Sequence, residues 1–193
     1  MISMPFWKKD IDNEGRTPDF MVRLRKAVAG TGGVSNAEKE LRSIGIKRGW
    51  KVVDFGSGTG HFSLAAARIV GEGGVVHAVD LHPLSLEMIE KDAARNGLSN
   101  IETIYSDLET GLDEESVNAV LLQNALGGRK NVRDLLNEVH RIMKDSGILW
   151  VRERSSSADR VAELMLKDGL FHMMEKGKDT FRFSKVKGGF HEI

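Results

Sequence analysis

The densest chemical signal in this chain lies between Asp54 and Gly60, in the segment Val52-Val-Asp-Phe-Gly-Ser-Gly-Thr-Gly-His61. Glycines at alternate positions let a backbone turn tightly and keep side chains away, so a ligand can approach the main chain. A second carboxylate, Asp80, ends the next apolar run, where it can accept hydrogen bonds from both hydroxyls of a ribose. A third, Asp107, follows the run after that. Together they suit a nucleoside-containing ligand. Taken singly, each has an ordinary reading: a glycine-rich strand-to-helix turn, a helix N-cap at Asp80, a loop residue at Asp107.

The spacing excludes two better-known ligands. Gly56-x-Gly58 is followed at the third fingerprint position by His61, which breaks the dinucleotide pattern G-x-G-x-x-G while D-x-G-x-G-x-G stays intact. No Gly-Lys-Ser/Thr follows, so a nucleoside triphosphate loop is excluded as well.

These residues need strands and helices to position them. Short apolar runs at 51–55, 75–80, 101–105, 117–122 and 148–152 read as strands, the first of them buried. Between them, 62–70, 83–96 and 131–144 read as helices, the second with Pro83 near its first turn and Gly97 as its terminator. Residues 160–167 look helical, and 171–174 and 181–186 are weaker strand candidates. Strands alternating with amphipathic helices predict an α/β fold, a doubly wound and mostly parallel sheet. The chain opens with Phe20, Met21, Leu24 and Val28 at helical spacing, broken by Gly30 to Gly33. Ser35-Asn-Ala-Glu38 has capping-box spacing and predicts the start of the next helix, which carries Leu41 and Ile44. We therefore expect an N-terminal helical extension or lid over residues 1–34 and one globular domain over residues 35–193.

Composition narrows the function classes. The chain has 193 residues with Lys+Arg and Asp+Glu both at 28, so a nucleic-acid or anionic-membrane partner is not indicated by charge. There is no cysteine, which excludes disulfides and sulfur-ligated zinc. The six histidines lack metal-ligand spacing, so no metal is implied. No signal peptide and no run of about 20 apolar residues is present, and the expectation is a cytoplasmic protein without a membrane span.

At its motifs the chain resembles the class I, seven-stranded S-adenosylmethionine-dependent methyltransferases, in order from about Ser35 to Arg152. VVDFGSGTG is similar to the family's first motif, AVDLHP to its second and SDLE to its third, and LNEVHRIMKDSGIL to its helix and fifth strand. The resemblance implies a seven-stranded sheet with S-adenosyl-L-methionine as cofactor. It implies that Asp54 and nearby backbone, including Ser57, orient the methionine amino group, while Gly56, Gly58 and Gly60 line the methionine and ribose. It implies that Asp80 holds the ribose, Leu81 packs on adenine, Asp107 takes the exocyclic amine with Leu108 against the ring, and Gln123-Asn124 sits beside the methionine and the incoming substrate. The wording of the motifs resembles the ubiquinone/menaquinone-type branch, which implies a small-molecule acceptor. An RNA or protein methyltransferase, or a non-catalytic methyltransferase-like subunit, are the alternatives.

No general base is assigned. His61 and His82 flank the cofactor motifs, but position there supports contact more than proton transfer. The segment after strand four reads Gln123-Asn-Ala-Leu126 and lacks the Asn/Asp-Pro-Pro-aromatic signature of exocyclic amino methylation. Phe6, Trp7 and Phe20 are candidates to close over a cleft or to anchor a helix, and Arg152 and Arg154 to face an acidic substrate or water. The identity of the acceptor atom and the oligomeric state are not encoded in these patterns.

Overall fold

The computed structural model describes residues 33–126, 129–153 and 158–187. Helix α1 (Gly33–Ser43) leads into β1 (Lys51–Phe55), α2 (His61–Val70), β2 (Val75–Asp80), α3 (Pro83–Arg95) and β3 (Ile101–Tyr105). There follow β4 (Val117–Gln123), α4 (Val132–Ile142), β5 (Met143–Arg152), α5 (Ala158–Lys167), β6 (Phe171–Lys176) and β7 (Thr180–Lys185). The strands form one seven-stranded sheet in the order β3-β2-β1-β4-β5-β7-β6. The pairs from β3 through β5 are parallel, and β7 is antiparallel to both β5 and β6. This is the doubly wound, mostly parallel architecture expected from the alternation of elements.

Why the central strands read as continuous apolar runs is visible in the packing. A parallel sheet covered on both faces buries successive side chains on opposite sides. Val53, Phe55, Val120, Leu122, Leu149 and Val151 join Leu135, Val139 and Val161 of α4 and α5 in one core. Their neighbours Val52, Ala119, Leu121 and Trp150 join Leu41 of α1 and Phe62 and Ala66 of α2 in the other. Burying each such side chain contributes about 1.5–3 kcal/mol. Only β7, on the antiparallel side, alternates buried and half-buried residues.

Three elements differ from the sequence expectation. Helix α1 begins at Gly33, two residues before Ser35, so Ser35 lies inside the first turn. The helix buries Ala37 and Leu41 against α2 and the sheet. Strand β5 starts at Met143, directly after α4, not at Ile148. The expected Asp145-Ser-Gly147 turn survives as an excursion: Val117 pairs with Met143 and Ala119 with Ile148, leaving 144–147 outside the ladder. Finally, β6 runs to Lys176. The proposed lid residues Phe6, Trp7 and Phe20, and Arg154, lie outside the described residues.

Gly60 marks where the glycine turn meets this packing. Its φ is 78°, and a Cβ placed there would lie 2.4 Å from Ile89 Cγ1 of α3. Gly60→Ala therefore combines a left-handed strain with overpacking, and the expected loss is about 3 kcal/mol in urea denaturation. An unchanged midpoint would show that α3 can move aside freely.

Candidate active site

The site lies where the open α/β rule places ligands, at the carboxyl ends of the parallel strands. Strand β1 ends at Phe55 and the chain turns through Gly56, Gly58 and Gly60, all in the left-handed region with φ of 69°, 52° and 78°. The turn is tied to the end of the neighbouring strand. Gly56 N and Ser57 N both donate to Val79 O, at 2.8 and 3.1 Å. Gly58 N donates to Asp80 Oδ2 at 2.8 Å, and His82 N donates to Asp80 Oδ1 at 2.8 Å. Each carboxylate oxygen has two lone pairs, so Asp80 keeps acceptor capacity for a ligand on both oxygens.

Beside this tie is a cleft of about 400 Å³ lined by Phe55, Gly56, Asp80, Leu81, His82, Ser106, Asp107, Asn124, Ala125, Arg129 and Asn131. The volume falls within the range of small-molecule sites, about 300–1,000 Å³. Four of the sequence-derived residues, Gly56, Asp80, Leu81 and Asp107, converge on it, with His82 and Asn124 beside them. Leu81 is 47% exposed, an apolar side chain held open at the cleft. Asp54, Ser57, Gly58, Gly60, Leu108 and Gln123 do not line it. Leu108 packs against the core formed with α4, and Gly58 acts through its amide on Asp80.

Asp54 is 1% exposed and accepts a hydrogen bond from Ser63 Oγ of α2 at 2.5 Å. Burial raises its pKa from 3.8 to about 6; the Ser63 hydroxyl pulls the other way and the Asp80 charge adds to the rise. At His61, the first residue of α2, burial lowers the pKa to about 4, helped by the Arg152 charge, so the imidazole is neutral near pH 7. Its Nδ1 is buried with no hydrogen-bond partner. Arg152 at the end of β5 is half-buried and does not line the cleft: it pairs with Glu40 of α1 and lies over the Trp150 and Phe62 rings, 5.1 and 5.7 Å from their centroids.

Sequence reasoning missed two contributors. Arg129 spans the cleft, its Nε donating to Ala125 O at 3.2 Å and its guanidinium also donating to Asp107 O, which links the loop after β4 to the loop after β3. Glu153, 3% exposed, accepts from Leu126 N at 3.0 Å and so braces the Asn124–Leu126 segment from β5. Neither belongs to a spacing pattern; the only sequence signal was a charged residue next to a strand end or glycine pair. Among the described residues no group of three or more potential metal ligands occurs, and no helix is long and apolar enough to cross a membrane.

The titrations generate a stability signature. The raised Asp54 pKa contributes stability that is fully present below pH 4 and is lost as pH rises to 6, on the order of 3 kcal/mol. The lowered His61 pKa has the opposite sign, its contribution being lost as pH falls from 6.5 to 4. The wild-type stability minus that of Asp54→Asn should therefore fall between pH 4 and 6 even where the wild-type curve is nearly flat. A pH-independent difference in denaturant titrations would show that Asp54 titrates normally.

Comparison with known proteins agrees with this architecture. A family model described as "Methyltransferase domain" matches residues 46–186. The protein named "Probable cobalt-precorrin-6B C(15)-methyltransferase (decarboxylating)" of Sulfolobus acidocaldarius is 29% identical over 117 residues, 58% of this chain and 60% of that protein. A ubiquinone/menaquinone biosynthesis C-methyltransferase of Blochmanniella floridana is 26% identical over 143 residues, 72% of this chain and 56% of that protein. The chain thus spans between about half and three fifths of the length of these two relatives. The crystal structure of a SAM-dependent methyltransferase from Aquifex aeolicus superposes with a TM-score of 0.65 at 24% identity, covering 77% of this chain and 88% of that one. With the 3-2-1-4-5-7-6 strand order and a matched region that includes the glycine turn, the chain belongs to the class I methyltransferase-domain family.

Proposed function

We propose that this protein is an S-adenosyl-L-methionine-dependent methyltransferase acting on a small molecule. The observation that carries the reading is the convergence, in one cleft, of the Gly56 turn after β1 with Asp80 after β2 and Asp107 after β3. One strand end presents backbone, the next a carboxylate with free lone pairs, the third an exposed carboxylate. That is the donor and acceptor set of an amino-acid-bearing nucleoside, and the cleft volume accommodates a ligand of that size.

In this reading Asp80 accepts the ribose hydroxyls while its bonds to Gly58 N and His82 N keep it fixed. Leu81 offers its exposed side chain to the adenine, Asp107 receives the exocyclic amine, and Leu108 supports that loop from the core. Gly56 supplies close backbone approach, Gly58 fixes Asp80 through its amide, and the unpartnered buried Ser57 Oγ is a further hydrogen-bonding group in the same turn. Asp54 supports the turn through Ser63, and Asn124 borders the methionine end, next to Gln123 at the end of β4. The cofactor, when bound, supplies a methyl group already activated on a sulfonium. The protein's own work is then to hold an acceptor in line and limit water at the reacting centre. The small-molecule assignment is supported by the relatives, named for action in ubiquinone/menaquinone biosynthesis, on cobalt-precorrin-6B and on aklanonic acid.

Titrating S-adenosylmethionine or S-adenosylhomocysteine should raise the melting temperature, and NADH should not. A shift with NADH alone would overturn the reading. Asp80→Ala should weaken S-adenosylhomocysteine binding about 100-fold, because it removes the ribose acceptor and frees Gly58 N together. Unchanged affinity by calorimetry would overturn the ribose assignment.

A further inference from the structure

A second concavity lies outside the cofactor cleft. It is a groove of about 820 Å³ between the start of α4 and the length of α5, larger than the cleft itself. Its apolar lining comes from Val132, Leu164 and Leu166, and Leu166 is 42% exposed. Around that lining stand Lys130, Arg133, Arg160 and Lys167, all exposed, against a single lining carboxylate, Glu163. Arg133 pairs with Asp168 at 3.3 Å. The cations of Lys130, Arg160 and Lys167 have no ion-pair partner among the described residues.

This is not the average surface of a chain whose Lys+Arg and Asp+Glu are equal in number. Even with Asp168 counted beside Glu163, the groove carries two more positive than negative groups. Uncompensated cations around an apolar trough recognise a ligand that is apolar along its body and anionic at one or more points. The apolar side chains lie along an open groove lined by the start of α4 and by α5, with cations at both its ends. The volume is that of a small-molecule site.

We propose that the groove between α4 and α5 binds a single-chain acidic amphiphile, an apolar chain or ring system bearing a carboxylate or phosphate, as a monomer. The groove shares one loop with the cofactor cleft: Arg129 and Asn131 line the cleft while Lys130 and Val132 line the groove. A ligand seated there is adjacent to the reaction site. The inference goes beyond the methyltransferase reading and does not depend on it, since the groove is lined by Lys130, α4 and α5 and by none of the residues that line the cleft.

The test uses dodecyl phosphate below its micellar concentration, titrated into the full chain by calorimetry at low salt. One site with a Kd on the order of 10 μM is expected. Raising NaCl from about 50 to about 500 mM should weaken it several-fold by screening the exposed cations. Arg160→Glu with Lys167→Glu should reduce affinity at least tenfold, and Leu164→Ser should reduce it without altering the salt dependence. S-adenosylhomocysteine binding, measured on the same variants, should be unchanged, so a fault in folding or in the cofactor reading is separately visible. No binding of the monomer, equal binding by the charge-reversed variant, or binding only to phosphatidylcholine/phosphatidylglycerol vesicles would each overturn the proposal.

Discussion

The arrangement depends on one set of backbone hydrogen bonds, those that fasten the glycine turn to the end of β2. Gly56 and Ser57 donate to Val79 O, and Gly58 donates to Asp80. Three of the turn's five residues are left-handed glycines without side chains and Ser57 Oγ has no partner, so the turn is positioned by its amides. Asp80 meets that need with the same carboxylate that faces the cleft. Because it also receives His82 N, the two loops that flank the cleft share one anchor. The geometry of the site is thereby a property of the β1–β2 pairing, which fixes Phe55 opposite Val79.

The surrounding charges are arranged so that burial is tolerable. Asp54 is fully enclosed, with Ser63 as its donor, and its raised pKa expresses chiefly the cost of burying a carboxylate, with a smaller addition from the Asp80 charge. On the opposite side, His61 is kept neutral by burial and by Arg152, whose own charge is met by Glu40 and by two aromatic faces. Arg152 thus joins α1 to the end of β5 as a packing element. The cation inside the cleft is a different one, Arg129, and it is held by two backbone carbonyls.

Much of this was legible because it is local. Strand runs at 51–55, 75–80 and 101–105 match the structure residue for residue; in β1 and β2 this follows from burial on both faces of the sheet, which demands mostly apolar residues, while β3 is the half-exposed edge strand. The glycine turn, Asp80, Leu81 and Asp107 were legible from their places at successive strand ends. Element edges that depend on packing were less so, as the early start of β5 shows. Local capping and turn preferences are worth about 1 kcal/mol, and tertiary burial overrides them.

By itself the sequence determined the alternation of strands and helices, the glycine-rich turn and the carboxylates that follow it, all consequences of residue type at short spacing. Tertiary structure alone decided which of those groups face one cavity. It turned Asp54 toward Ser63, gave Gly60 to the packing of Ile89, and brought Arg129 across to Asp107 and Glu153 to Leu126. It also set the cations of α4 and α5 around one groove. The physical reason is the same for each: side chains far apart in the chain meet only once the sheet order is fixed, and the strand ends, not the motifs, set the distances between them.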